Sequence, residues 1–151
     1  MKTIKFDSFG NGGVSIGAHR VVATNLHAVA CESVRDNIDY FTVLEKYFER
    51  AKILLVSHKE WLKRIICTKT LKFFNIKWED LRMYFSTFGY TGLWDAYTVC
   101  KPEEDYIAWC KKVLSFMDKY AENAGKEREG FAFNVEEVPA ENAAPKLAAL
   151  D

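Results

Sequence analysis

The sequence has 151 residues, which is the size of one domain or of one piece of a larger domain. Hydrophobic residues make up 49% and aromatic residues 15%, enough to bury a core, so a disordered tail is excluded. Lys plus Arg and Asp plus Glu both number 21, and this zero net charge gives no reason to expect direct nucleic-acid binding or a polybasic membrane patch. With no apolar run behind the first lysines and no stretch near the roughly 20 apolar residues of a membrane helix, a cytoplasmic protein is predicted.

The beginning of the chain predicts a loop, a strand and a long helix. Four glycines within residues 8–18 favour a loop, which we assign to residues 1–19. The β-branched run Arg20–Leu26 lacks alternation, as a strand buried on both faces does. From about Asp36 to Ile66 the apolar residues recur at helical spacing without a glycine or proline, so one long helix is predicted.

The second half predicts two further strands and two further helices. Residues 71–80 are ambiguous, and Arg82–Phe88 predicts a strand ended by Gly89 and Gly92. Pro102, followed by three acidic residues, predicts the start of a helix that ends at Gly125. Phe131–Val135 then predicts a third strand, and Ala140–Leu150 a last helix.

The resulting order, a loop followed by βαβαβα over residues 20–151, predicts an α/β fold. Helices of twenty to thirty residues separate the strands, and such connections favour parallel pairing with right-handed crossovers.

The cysteines and histidines give no metal signal. Cysteines 31, 67, 100 and 110 form no CxxC pair, so we expect reduced, mostly buried thiols and neither a zinc site nor a disulfide. Of the histidines, His58 is expected to be solvated, and His19 and His27 are expected to pack or cap. The glycine-rich loop also fails as a dinucleotide motif, because Ser15 occupies the third glycine position and a strand follows it.

Two pairs of acidic residues differ in context. Glu103 and Glu104 are explained as charge at a helix start. Glu136 and Glu137 lie at the carboxyl end of a predicted parallel strand, where α/β proteins place ligands. The turn that follows leads into a helix whose first backbone amides lack partners, so it either binds an anion such as phosphate or is an ordinary helix start capped by Glu141 or Asn142. This turn consists of Pro139, Ala140, Glu141, Asn142, Ala143 and Ala144.

Taken in order, these segments resemble one enzyme family. The glycine-rich loop, Val21–Leu26, a long helix, Phe85–Leu93 and Phe133–Glu136 followed by the Pro139–Ala144 turn are similar to the central part of the anaerobic (class III) ribonucleoside-triphosphate reductases. The resemblance runs from about Phe9 to Asp151. His27 replaces the proline that follows Asn-Leu in the family, and residues 93–95 also depart from its pattern.

The resemblance implies a ten-stranded α/β barrel, built from two five-stranded parallel halves around a finger loop. It implies reduction of ribonucleoside triphosphates to deoxyribonucleotides for DNA synthesis by glycyl and thiyl radicals. The complete subunit would be a homodimer whose glycyl radical is installed by an iron–sulfur, S-adenosylmethionine-dependent activase. No cofactor or metal is assigned to this chain itself.

Site residues follow from the same resemblance. The Pro139–Ala144 turn matches the segment that holds substrate phosphates. Asn11 and Asn25 are candidates for polar contacts near the substrate, and Glu136 is a candidate carboxylate facing the barrel interior. The sequence lacks the Arg-Val-x-Gly-Tyr radical segment and the four-cysteine zinc site, and none of its cysteines matches the thiyl position. We therefore expect a fragment or split-gene piece that is inactive without the remaining segments of the subunit.

The sequence also allows a second interpretation. The chain would then be a non-catalytic α/β module that binds a phosphorylated ligand at the Pro139–Ala144 helix start, without radical chemistry. Under the first reading, three strands without the rest of the barrel leave unpaired edges, and the isolated chain is expected to be marginally stable.

Overall fold

The computed structural model describes residues 17–68, 81, 84–139 and 146. Its elements in chain order are β1 (Ala18–Asn25), α1 (Leu26–Asp36), α2 (Tyr40–Cys67), β2 (Phe85–Thr91), α3 (Leu93–Cys100), α4 (Tyr106–Glu127) and β3 (Ala132–Glu137). Residues 1–16 of the predicted loop, the ambiguous segment 71–80 and, apart from residue 146, the predicted helix 140–150 lie outside this range. The predicted end of the loop at residue 19 is wrong, because β1 already begins at Ala18.

The three strands form one parallel sheet in the order β1-β2-β3. Strand β2 is central, and Phe88 is opposite Val22 on one side and Val135 on the other. The predicted α/β class with parallel pairing is therefore confirmed. Strand β3 starts at Ala132, one residue after its predicted start, and ends at Glu137, two residues after its predicted end.

The segment between β1 and α2 differs from the prediction. The strand ends at Asn25, and α1 begins at Leu26, because the Asn25 side chain accepts hydrogen bonds from the first free amides of that helix. Asn37 has the left-handed φ of 51° that ends α1, and the Asp39 side chain then caps α2. The long predicted helix is confirmed from Tyr40 onward, and of the three residues that could cap its start, Asp36, Asn37 and Asp39, the structure uses Asp39.

The second strand is shifted toward the C-terminus. It covers Phe85–Thr91 instead of Arg82–Phe88, and Gly89 lies inside it. Gly92 does end the strand, with a left-handed φ of 76°. The expectation that Gly89 stops β2 is wrong, because its φ is not positive and its neighbours continue the ladder on both sides.

The segment after β2 contains a helix that the sequence analysis missed. Helix α3 starts directly after Gly92 and ends at Cys100, where Lys101 has a left-handed φ of 44°. The next helix starts at Tyr106 instead of Pro102, because the Asp105 carboxylate accepts the Ala108 amide as an N-cap. Pro102, Glu103 and Glu104 therefore precede α4, and Glu104 pairs with Lys112 of that helix.

Helices α2 and α4 cover one face of the sheet through aromatic contacts. Phe88 stacks on Phe48 of α2 at 4.9 Å between ring centroids and on Phe133 of β3 at 5.4 Å. Tyr120 of α4 meets both Phe48 and Phe88 edge to face. Phe48 and Phe88 are fully buried, so their burial supplies a large part of the hydrophobic stabilisation of this layer.

The cysteines are less buried than expected. Cys110 is buried and Cys100 is half-buried, whereas Cys31 and Cys67 are exposed. The expectation of mostly buried thiols is wrong, because Cys31 and Cys67 fall on the solvent side of their helices. All four are free thiols.

Candidate functional site

The parallel register divides the strand residues between two faces of the sheet. Partners in neighbouring parallel strands point to the same side, and successive residues alternate. Since Phe88 contacts α2 and α4, Ser86 and Tyr90 share the helix-covered face. The opposite face carries the intervening residues and their partners, namely Val21, Ala23 and Asn25 from β1, Thr87, Gly89 and Thr91 from β2, and Asn134 and Glu136 from β3.

A chain of hydrogen bonds crosses this opposite face from β2 to the end of β3. The Thr87 hydroxyl donates to Asn134 Oδ1 at 2.7 Å, and Asn134 Nδ2 donates to Glu136 Oε1 at 2.7 Å. Thr87 is fully buried, whereas Glu136 is exposed. The buried hydroxyl thus fixes the orientation of the amide, and the amide in turn orients one oxygen of a carboxylate that is accessible from solvent.

Gly89 is buried in the middle of this face, where the Val138 and Val21 side chains pack directly over it. A β-carbon at this position would lie 2.7 Å from Val138 Cγ2 and 2.9 Å from Val21 Cγ1. Those distances are too short for carbon atoms, so any larger residue would push the neighbouring side chains apart. Glu136 is the β3 partner of Gly89 and therefore stands beside this closely packed position.

Asn25, a candidate for substrate contact, occupies the carboxyl end of β1 opposite Thr91. Its Oδ1 accepts the backbone amides of His27 and Ala28 at 3.1 and 3.4 Å. The β-carbon position of Gly92 is only 3.3 Å from the same oxygen. The side chain therefore has a structural role as the N-cap of α1, at the same end of the sheet as Glu136.

The predicted phosphate-binding turn begins at this end as well. Val138 continues from β3, donating its amide to the Tyr90 carbonyl at 2.9 Å, and Pro139 follows as an exposed residue. The other members of the turn, Ala140, Glu141, Asn142, Ala143 and Ala144, lie outside the described residues, as does Asn11. Asn25, Glu136 and Pro139 are thus the candidate residues whose position is known, and all three lie at the carboxyl ends of the strands.

Glu137 points to the other face. It is paired with Tyr90, whose side chain lies on the helix-covered side, and the Glu137 carboxylate contributes with burial to raising the pKa of Tyr90. The adjacent carboxylates of Glu136 and Glu137 therefore lie on opposite faces of the sheet. The sequence alone did not distinguish them.

The amino end of the sheet carries a basic cluster that the sequence analysis missed. His19 of β1 lies between His58 of α2 and Ser86 of β2, and Lys59 of α2 is fully buried beside them. The expectation of a solvated His58 is wrong, because its ring stacks on His19 and is half-buried. Burial lowers the pKa of Lys59 to about 8, and its ammonium donates to the Tyr84 carbonyl at 2.7 Å.

Within the described ranges, no three His, Cys, Asp or Glu side chains are grouped as a metal site requires. In the same part of the chain, no helix has both the length and the apolar character needed to cross a membrane.

Comparison with known proteins decides the family. The family model for anaerobic ribonucleoside-triphosphate reductase matches residues 3–151. The chain belongs to this family. A search of curated proteins found no match.

Solved structures of anaerobic ribonucleotide reductases have the same fold. The Thermotoga maritima enzyme with glycerol in the active site is 28% identical over 96% of this chain, with a TM-score of 0.76. The same enzyme in complex with dATP and CTP is 29% identical over 93% of this chain, again with a TM-score of 0.76. The chain spans about a quarter of these reductases, 25% in both cases. The predicted fold, a parallel segment of the reductase α/β barrel, is confirmed by this match.

Proposed function

We propose that residues 1–151 form one segment of the catalytic barrel of an anaerobic ribonucleoside-triphosphate reductase, and that this segment contributes part of the substrate site. The observation that carries the proposal is the family match over residues 3–151 together with the polar face of the sheet. In this proposal the three strands are an arc of the ten-stranded barrel, and the face with Thr87, Asn134 and Glu136 is turned toward the barrel interior.

The proposed substrate is a ribonucleoside triphosphate. One relative was solved in complex with dATP and CTP, which supports a nucleotide ligand. Active sites of α/β barrels lie at the carboxyl ends of the strands, where Asn25, Glu136 and Pro139 are found here. We assign Glu136 to the ribose side of the site, as an acceptor for a hydroxyl group, with Asn25 and Asn11 as further polar contacts.

The triphosphate is assigned to the Pro139–Ala144 turn. Backbone amides at a helix start carry no intrahelical partners and attract anions. Pro139 follows directly on Val138, so this turn would begin within a few residues of Glu136. A nucleotide bound this way would span from the polar face of the sheet to the end of β3.

The remaining parts of the reaction would come from the other segments of the subunit. The radical glycine and the thiyl cysteine have no counterpart in this sequence, so no radical step is derived from its residues. The proposal includes the family's homodimer, its radical-installing activase and a role in supplying deoxyribonucleotides for DNA replication in the cytoplasm. The chain alone is expected to be inactive.

The decisive experiment reconstitutes this chain with the other segments of the reductase and with the activase, without oxygen. We expect conversion of a ribonucleoside triphosphate to its deoxy form, and no conversion by the chain alone. If reconstitution yields no product while the chain by itself binds CTP, the chain is a phosphate-binding module and the reductase proposal is wrong.

The two adjacent carboxylates offer a matched test of the site. Glu136→Gln removes the charge from the polar face, and we expect a loss of turnover of about tenfold or more, as for a charge-assisted hydrogen bond to substrate. Glu137→Gln makes the same change on the same strand but on the helix-covered side, and should leave turnover within about twofold of the unsubstituted enzyme. Equal rates for both variants would remove Glu136 from the proposed site.

A further inference from the structure

A pair of imidazoles joins β1 to α2 at the amino end of the sheet. The Nδ1 atoms of His19 and His58 are 3.2 Å apart, and the rings lie nearly parallel, with 12° between their planes. On its other side His19 places Nε2 2.7 Å from the hydroxyl oxygen of Ser86, which is fully buried. His19 is therefore held between two elements, through both of its nitrogens.

The short distance between the two Nδ1 atoms limits how many protons they hold. A hydrogen bond between two imidazole nitrogens needs one N–H and one lone pair, so a single proton bridges them. Either ring supplies this proton while the pair is neutral, and the bond also survives when one ring carries a charge. When both rings are protonated, two N–H groups face each other and the bond is lost.

The charged groups that face the pair from β1 and α2 are basic, and those from the β2 side are neutral. Strand β1 contributes Arg20, and helix α2 contributes Lys59, which is fully buried with its ammonium 5.0 Å from the Phe131 ring centroid. Strand β2 contributes the neutral Ser86 hydroxyl, and the Tyr84 carbonyl, directly before β2, accepts from Lys59. On the exposed side His58 contacts the Trp61 ring.

These surroundings oppose protonation. Burial and the charges of Lys59, His58 and Arg20 lower the pKa of His19 to about 4. Burial and Arg20 also lower the pKa of His58. In the unfolded chain both histidines would protonate near pH 6.5. The folded state thus binds fewer protons than the unfolded state below that pH, so the stability contributed by the pair is complete above about 6.5 and declines as the pH falls.

We propose that His19 and His58 form a proton-sharing pair that fastens the start of β1 to α2 at neutral pH and releases it in acid. The device is independent of the nucleotide site, which lies at the opposite end of the strands. Acid therefore loosens the amino end of the sheet first, while the carboxyl end keeps its contacts.

The test follows thermal unfolding of the chain between pH 7.5 and 4.5, by circular dichroism. We expect the midpoint to fall with acidity in the unsubstituted chain, and to fall clearly less in His19→Gln, since glutamine hydrogen bonds without titrating. The control is Val21→Ala, which changes an exposed, non-titrating side chain of the same strand and should reproduce the slope of the unsubstituted chain. Equal slopes for His19→Gln and the unsubstituted chain would overturn the proposal.

Nuclear magnetic resonance of the unsubstituted chain provides a second readout, which does not require the variant to fold. We expect the ¹⁵N shifts of the His19 ring to stay those of a neutral imidazole down to about pH 5, and amide exchange of β1 to accelerate below that point. Independent titration of His19 and His58, both near pH 6.5, would show that no proton is shared. Neither measurement involves nucleotide, so a negative result would contradict the histidine pair without affecting the proposed function.

Discussion

The two faces of strand β2 differ in chemistry, although the residues that form them alternate one by one. Ser86, Phe88 and Tyr90 point to the helices, and the aromatic contacts of Phe88 hold the layers together. Thr87 and Gly89 belong to the other face, where Thr87 begins a chain of hydrogen bonds and Gly89 leaves room for the Val138 and Val21 side chains. The same seven-residue strand therefore supplies stability on one face and a candidate binding surface on the other.

Replacing Phe88 should have the largest effect, and on stability alone. Phe88→Ala removes a fully buried ring that contacts Phe48, Tyr120 and Phe133, so we expect a loss of about 3–5 kcal/mol in the free energy of unfolding. Urea denaturation measures it. The control is Val21→Ala, on the opposite face, where the side chain is 42% exposed and the expected loss is below about 1 kcal/mol. Similar losses for the two variants would contradict the division into two faces.

Gly89→Ala tests the close packing of the opposite face. The new methyl group would meet Val138 Cγ2 at 2.7 Å and Val21 Cγ1 at 2.9 Å, and we expect a destabilisation of about 1–3 kcal/mol. The double variant Gly89→Ala, Val138→Ala should recover part of this loss, because it removes the closest contact. If the single variant is as stable as the unsubstituted chain, the close packing around Gly89 is not required.

Thr87→Val should have the smallest effect on stability and the most specific effect on the site. The substitution keeps the shape but removes the hydroxyl that donates to Asn134, so we expect a loss of about 1 kcal/mol. In Thr87→Val the Asn134 amide no longer has a fixed orientation toward Glu136. We therefore expect turnover of the reconstituted reductase to fall even under conditions in which the variant is fully folded. Thr87→Ser retains the donor and should preserve turnover. Equal turnover in both variants would show that Thr87 does not act through Asn134.

The architecture was predictable from the sequence because the spacing of apolar residues distinguishes the helices from the strands. The glycine-free apolar repeat of α2 and the three separated strands were sufficient for a parallel α/β fold. The errors occurred where a single side chain decides a boundary. Asn25 begins a helix directly after β1, Asp105 rather than Pro102 starts α4, and Gly89 continues a strand instead of ending it.

The site was predictable only in part. Glu136 was identified from its position at a predicted strand end and Asn25 from the family resemblance, and both lie at the carboxyl end of the sheet. The roles of Thr87 and Asn134, and the contact of His19 with His58, depend on register between strands and on packing of α2 against β1. The residues in these contacts are 47 and 39 positions apart, and no local pattern contains that information.

The direct succession of Glu136 and Glu137 has a consequence for how β3 tolerates changes in length. Loss of a single residue from the first half of this strand would move every later side chain of the strand to the opposite face of the sheet. Glu137 would then take the place of Glu136 beside Gly89, while Val135 would leave the aromatic layer for the polar side. A point substitution in β3 would change one side chain on one face, whereas insertion or deletion of one residue would disturb both the hydrophobic packing and the polar face.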